Sequence, residues 1–205
     1  MNQRAVSVIE LIGVLAILAI LTALLLPRIS RTVDKPDVVQ TVNDAHLTEA
    51  LVAVQTIQAA ATMHLVQFGS LASLNGTPLT FSGTYDTFSQ VLLSEGLIER
   101  PFATRLGSNA FLRLVNVLGL SPATAVDGLN GAFDLDGDGK NDVIGASFLL
   151  EAVIPGVTVA EARALNDRLD GPQPNPGAND LTGRVIYRNA ELDGHTEVHI
   201  YITRK

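Results

Sequence analysis

Residues Val6 to Leu26 read VSVIELIGVLAILAILTALLL, and no other stretch restricts the chain as much. The run is apolar except for Ser7, Glu10 and Thr22, and Pro27 closes it. At about 1.5 Å per residue it makes a helix roughly 31 Å long, close to the hydrocarbon thickness of a bilayer. It is predicted to cross a membrane once, ahead of a far more polar remainder. Glu10 then needs a reason. A carboxylate within an apolar span costs roughly 2.5–3.5 kcal/mol on insertion scales, so it has a partner or a job.

Three readings compete for Met1 to Pro27. A secretory signal peptide needs a small-residue cleavage site after a short apolar core. Here the core is long, and Leu24-Leu25-Leu26-Pro27-Arg28-Ile29-Ser30-Arg31 holds no Ala-x-Ala pattern. A plain single-pass anchor accounts for the length but not for Glu10 or the short leader Met1 to Ala5. The third rests on Arg4-Ala5-Val6-Ser7-Val8-Ile9-Glu10-Leu11-Ile12. This segment resembles the processing site of type IV pilins and type II secretion pseudopilins.

The resemblance implies cleavage between Ala5 and Val6 by a prepilin peptidase, with methylation of the new N-terminus at Val6. It places Glu10 five residues into the mature chain and Pro27 at the end of the first helical stretch. Two positions depart from the family pattern: Ala5 stands where Gly is usual, and Val6 where Phe or Met is usual. The implied partners are identical or related pilin subunits, the peptidase, inner-membrane assembly machinery and membrane lipid. The implied location is the bacterial inner membrane, single-pass, before assembly, and then a cell-surface pilus or a periplasmic pseudopilus. Elementary electrostatics agrees. Cleavage would create a cationic amine on Val6, and a neighbouring subunit's amine could neutralise Glu10 in a low-dielectric setting.

The expected domains are a leader over 1–5, a transmembrane or filament-core helix over 6–27, and an exported body over 28–205. With 205 residues, the chain has room for one core beyond the helix. A net charge of −7 leaves no basic footprint for nucleic acid. The absence of Cys excludes disulfides and thiolate chemistry. Arg28, Arg31 and Lys35 can meet lipid headgroups. They outnumber Arg4, so charge alone does not orient the span.

Within the body, Leu47, Leu51, Val54, Ile57, Ala61, Leu65 and Phe68 recur at helical spacing, predicting an amphipathic helix over 37–68 stopped by Gly69. His46 and His64 on it read as ordinary helix residues. Asn75-Gly76 and Pro78 mark turns. A short helix is expected over 86–98 with Asp86 as N-cap. Phe111 to Val117 and Val143 to Ile154 read as strands. Thr158 and Glu161 form a capping box for a helix to Leu169. Val185 to Arg188 and Thr196 to Thr203 form a hairpin. The expected fold is α+β, a long N-terminal helix packed on a small antiparallel sheet, pilin-like by resemblance. Leu92 to Pro101, and the pattern from Ile154-Pro155-Gly156 to Gly183-Arg184-Val185, also resemble segments of pilin-like domains.

The second strong signal is Asp134-Leu135-Asp136-Gly137-Asp138-Gly139-Lys140-Asn141-Asp142. Four carboxylates so close together repel one another without a cation. Hard oxygen donors at this spacing suit calcium. Asp134, Asp136 and Asp138 match the first side-chain ligands of an EF-hand loop, Lys140 offers its carbonyl, and Asp142 binds directly or through water. The twelfth position is Gly145 instead of a bidentate Glu, leaving a ligand to come from Asp127, a water or a backbone carbonyl. The expected affinity is on the order of 10⁻⁴–10⁻³ M, as in extracellular modules.

His195, Glu197 and His199 alternate on one strand face and could ligate zinc. Thr196, Val198, Ile200 and Ile202 make the other face look buried, so the first set reads as the solvent face. No Ser/His/Asp order, Walker loop or dinucleotide fingerprint points to an enzyme. The preferred function is a filament subunit, the runner-up a non-polymerising membrane-anchored calcium-binding envelope protein, and an enzyme or adhesin carried on the same anchor comes third.

Overall fold

A computed structural model describes residues 36–172 and 177–205, with burial from residue 42 onward. The leader, the helix over 6–27 and the residues Ala5, Val6, Glu10 and Pro27 lie outside the described residues. Among the described residues, no helix is long and apolar enough to cross a membrane. The chain divides between Asp44 and Ala45, and the second unit, Ala45–Lys205, holds the sheet and its cores.

Helix α1 runs over Pro36–Phe68. Within the second unit it buries Leu47, Ala50, Val54, Ile57, Ala60, Ala61 and His64. Gly69 takes φ +73°, a left-handed turn that ends the helix, and its N–H still reaches the Leu65 carbonyl. A two-stranded ribbon follows, β1 (Ser73–Leu74) and β2 (Thr77–Pro78), turning on Asn75 and Gly76. Both turn residues have positive φ, as a two-residue hairpin loop requires.

Strand β3 (Thr84–Tyr85) leads into α2 (Phe88–Ser94). That helix is shorter than expected. Thr87 occupies the N-cap position in place of Asp86, and Glu95 ends the helix at the C-cap with Gly96 left-handed beyond it. Strands β4 (Phe111–Asn116) and β5 (Phe148–Thr158) come next, then α3 (Val159–Leu169), β6 (Val185–Tyr187) and β7 (His195–Arg204). The capping box of α3 forms: Thr158 Oγ1 accepts from the Glu161 N–H, and the Glu161 carboxylate accepts from the Thr158 N–H.

Five strands pair antiparallel in the order β3-β4-β5-β7-β6. Together with the three described helices they make the fold α+β. Strand β5 begins later than Val143 and runs on past Pro155. Val143 is instead drawn into a loop, where its side chain is buried. Pro155 sits at a break in β5–β7 register between Ile154 and Val157, where its missing N–H costs no ladder bond. Its carbonyl accepts from the Ser108 N–H at 2.7 Å.

The sheet is covered on both faces. Leu112, Leu114, Leu150, Ala152, Ile154, Val198, Ile200 and Ile202 pack in one core with residues of α1, α2 and α3. On the opposite face Val115, Leu149 and Ile186 meet Val117, Phe133, Val143 and Ala146, all from the excursion between β4 and β5. This second layer contradicts the expectation of a solvent face. His199 on β7 is buried, as are Arg113 on β4 and Glu151 on β5.

Candidate functional site

The acidic loop belongs to the excursion that covers the second face. Phe133 and Val143, both inaccessible to solvent, anchor its two ends. Asn141, also buried, ties those ends together. Its side-chain oxygen accepts from the N–H groups of Phe133 and Val143 at 3.1 and 3.0 Å. The Asp142 N–H donates to the Phe133 carbonyl at 2.7 Å. The loop is also tied to the sheet. Gly183 N–H donates to the Asp134 carbonyl at 2.7 Å, and the Arg204 guanidinium donates to the Asp142 carbonyl.

Between these anchors the backbone turns its own N–H groups onto the carboxylates. Asp134 accepts from Gly137 and Gly139 at 2.8 and 2.9 Å. Asp136 accepts from the Asp138 N–H at 3.1 Å, and Asp138 from the Lys140 N–H at 2.9 Å. Gly137 and Gly139 both adopt φ +82°, a conformation that side chains other than Gly rarely accept. The outcome is convergence: Asp134, Asp136 and Asp138 each place a carboxylate oxygen within 4.8 Å of the others. Asp134 is buried and the other two are exposed, so the cluster opens to solvent on one side. Such a group could hold a metal ion.

The remaining candidate residues are placed differently. Asp142 lies at the neck, where one of its oxygens accepts from the N–H groups of Leu135 and Asp136. The Lys140 ammonium donates to Asp138 at 2.6 Å. That hydrogen bond holds the Asp138 carboxyl below its ordinary pKa and raises that of Lys140. A cation bound through Asp138 Oδ2 would compete with this ammonium. Asp127 is not gathered into the cluster. Its carboxylate caps the N–H groups of Leu129 and Asn130 and lies 3.3 Å from the Arg188 guanidinium.

The zinc arrangement does not form. His195 turns to Asp193, with its Nδ1 3.6 Å from that carboxylate. Glu197 and His199 do meet, at 3.0 Å, but inside a different constellation. His199 Nδ1 is 3.2 Å from Glu151 Oε2, and the Arg113 Nε–H donates to Glu151 Oε1 at 2.6 Å. Sequence reading missed this cluster because its members come from three strands. The available signal was Arg113 and Glu151 as the one charged residue in each of β4 and β5.

A second buried group also differs from expectation. His64 is fully enclosed, with its Nδ1 2.6 Å from Glu95 Oε2 and its Nε2 3.4 Å from Ser73 Oγ. Phe68 and Phe88 flank the ring. The order is that of a nucleophile, base and orienting acid. However, Ser73 Oγ donates to the Ser70 carbonyl, and the Glu95 side chain is only 1% exposed. The trio has no open approach and acts as a polar pin joining α1, the β1–β2 ribbon and the end of α2.

No family model, curated protein or solved structure matches this chain.

Proposed function

We propose that the chain is a structural subunit of a type IV pilus or a type II secretion pseudopilus. In this reading it is cleaved between Ala5 and Val6, methylated at Val6 and assembled through its N-terminal helix. The observation that carries the reading is the segment Arg4 to Ile12, with Glu10 as the one acid of a long apolar run that Pro27 ends. The α+β body, with a helix leading into an antiparallel sheet, is the kind of domain such a subunit exports. Its partners are identical or related pilin subunits, the prepilin peptidase and the inner-membrane machinery that extracts it from lipid.

Glu10 gives the test. Replacing it with Leu removes an unpaired carboxylate from lipid and eases insertion by roughly 2.5–3.5 kcal/mol on insertion scales. The same change removes the group that a neighbour's amine neutralises, so filament yield from Glu10→Leu is expected to collapse while membrane-inserted protein accumulates. Filaments sheared from cells and quantified beside the membrane fraction read both. Undiminished filament yield from the variant would count against the assembly role.

We further propose that the ion of the acidic loop is calcium. The donors are carboxylate oxygens with no nitrogen or sulfur among them, which favours a hard cation. Lys140 and Asp142 would complete the set through the Lys140 carbonyl and through Asp142 directly or by way of water.

A second reading keeps the anchor and the calcium loop but has no filament. It is a membrane-anchored envelope protein that never polymerises, and it is favoured by Ala5 and Val6, which depart from the processing pattern.

A further inference from the structure

The chain holds two Asn-Gly pairs, Asn75-Gly76 and Asn130-Gly131, and the fold treats them differently. In such a pair the main-chain nitrogen of Gly can attack the side-chain amide carbon of Asn, because Gly has no Cβ to crowd the approach. The attack needs an amide that is free to swing and a backbone that is free to turn.

Asn130 has neither freedom. Its Nδ2 donates to the Ala125 carbonyl at 2.9 Å, and its Oδ1 accepts from the Ala132 N–H at 2.9 Å. Its own N–H donates to Asp127 Oδ1 at 3.0 Å. Gly131 is packed tightly: a Cβ there would stand 2.9 Å from Val117 Cγ1 and 3.1 Å from Val115 Cγ1. Asn75 has both. It is exposed at the tip of the β1–β2 ribbon, and its side-chain amide makes no hydrogen bond among the described residues. A Cβ on Gly76 would meet nothing nearer than Phe68 Cδ1 at 3.8 Å. The ribbon around this turn has only two residue pairs. A hairpin so short opens at little cost, and opening lets the left-handed Asn75, at φ +48°, reach the geometry of ring closure.

We propose that Asn75-Gly76 is a self-modification site whose conversion loosens the polar pin built on His64. The Gly76 nitrogen gives its proton to solvent and bonds to Asn75 Cγ. The Cγ–Nδ2 bond breaks, and the amide nitrogen takes up a proton and leaves as ammonia. Water then opens the resulting succinimide at either carbonyl, leaving an aspartyl or an isoaspartyl residue at position 75. Water is the one co-reactant, and no enzyme takes part. Both products carry a carboxylate where the amide stood. The isoaspartyl form also routes the main chain through Cγ, which lengthens a turn built for two residues. The Asn75 N–H donates to Glu95 Oε1 at 3.0 Å, and Glu95 Oε2 lies 2.6 Å from His64 Nδ1. Conversion therefore sets a new negative charge beside Glu95 and strains the hydrogen bond that ties the ribbon to the end of α2.

Peptide mapping by mass spectrometry tests this on the full chain in detergent, aged in mildly alkaline buffer. A gain of about 1 Da is expected at Asn75. In the folded chain Asn130 is expected to react roughly thirtyfold more slowly, the effect of about two hydrogen bonds that must break first. In denaturant, which removes the turn and the loop alike, the two pairs are expected to react at similar rates. Equal rates in the folded chain overturn the site, as does a folded Asn75 that stays intact while the unfolded one reacts. Hydrogen exchange on the aged chain reads the consequence. Amides over 73–79 are expected to lose roughly fivefold in protection, about one hydrogen bond, while those of β5 hold. Unchanged protection over 73–79 in converted chains overturns the link to the pin.

Discussion

If the ion of the acidic loop is calcium as proposed, chelating it is expected to lower the unfolding midpoint of the purified chain by about 1–6 °C relative to millimolar calcium. The size follows from linkage. At an affinity of about 10⁻⁴–10⁻³ M, millimolar calcium stands at about one to ten times its dissociation constant and adds about 0.4–1.4 kcal/mol to the folded state. In a domain of this length each kcal/mol moves the midpoint by roughly 2–4 °C. The effect concentrates in Asp134 because that residue does two jobs. Its carboxylate faces the candidate ion, and its main-chain carbonyl holds Gly183 at the start of β6. An ion drawing Asp134, Asp136 and Asp138 together therefore tightens the excursion and the edge of the sheet at once. Asp134→Asn is expected to remove the response to millimolar calcium while leaving the protein folded, since the amide oxygen can still accept from one of the Gly137 and Gly139 N–H groups and the main-chain carbonyl still holds Gly183. Identical melting curves in chelator and in millimolar calcium would remove the ion from the account.

Glu151→Ala lowers stability by about 3–5 kcal/mol, the cost of stranding a buried charge whose partner has been removed. Arg113 is left within the sheet without its 2.6 Å partner, and His199 loses one of its two carboxylates. The exposed pair Arg105–Glu49 supplies the contrast. It spans 3.6 Å with side chains 74% and 42% exposed, so Glu49→Ala should change stability by under about 1 kcal/mol. Replacing Arg113 and Glu151 together with Met and Leu should recover much of the loss, because two apolar groups of similar volume need no partners. Denaturant titrations of the single and double variants measure these differences. A Glu151→Ala cost no larger than that of Glu49→Ala would show that the buried pair contributes little.

Local chemistry made several elements legible in the sequence. The stripe on α1, the Gly69 stop, the Thr158–Glu161 box and the β6–β7 hairpin are short-range features, and each appears with small shifts at its ends. The acidic loop was also legible, because alternating carboxylates with Gly between them restrict the backbone strongly. Features set by distant partners were not legible. Alternation on β7 marked Val198, Ile200 and Ile202 as one buried face, but nothing local revealed that residues 117–147 fold back over the other. That layer buries His199 and draws Val143 out of the expected strand. His64 looked ordinary on its helix because Glu95 and Ser73 meet it only in the folded chain. Asp127 looked available to the acidic loop, but pairs with Arg188 from across the excursion.

The central claim is that the apolar run from Val6 to Leu26 serves as a membrane span first and as a filament core later. The mass of the mature N-terminus, measured on protein purified from its native membrane, tests this most directly. The account predicts a chain that begins at Val6 and carries one methyl group on its amine. A chain that keeps Met1 and the leader would contradict it and leave the non-polymerising anchor as the reading.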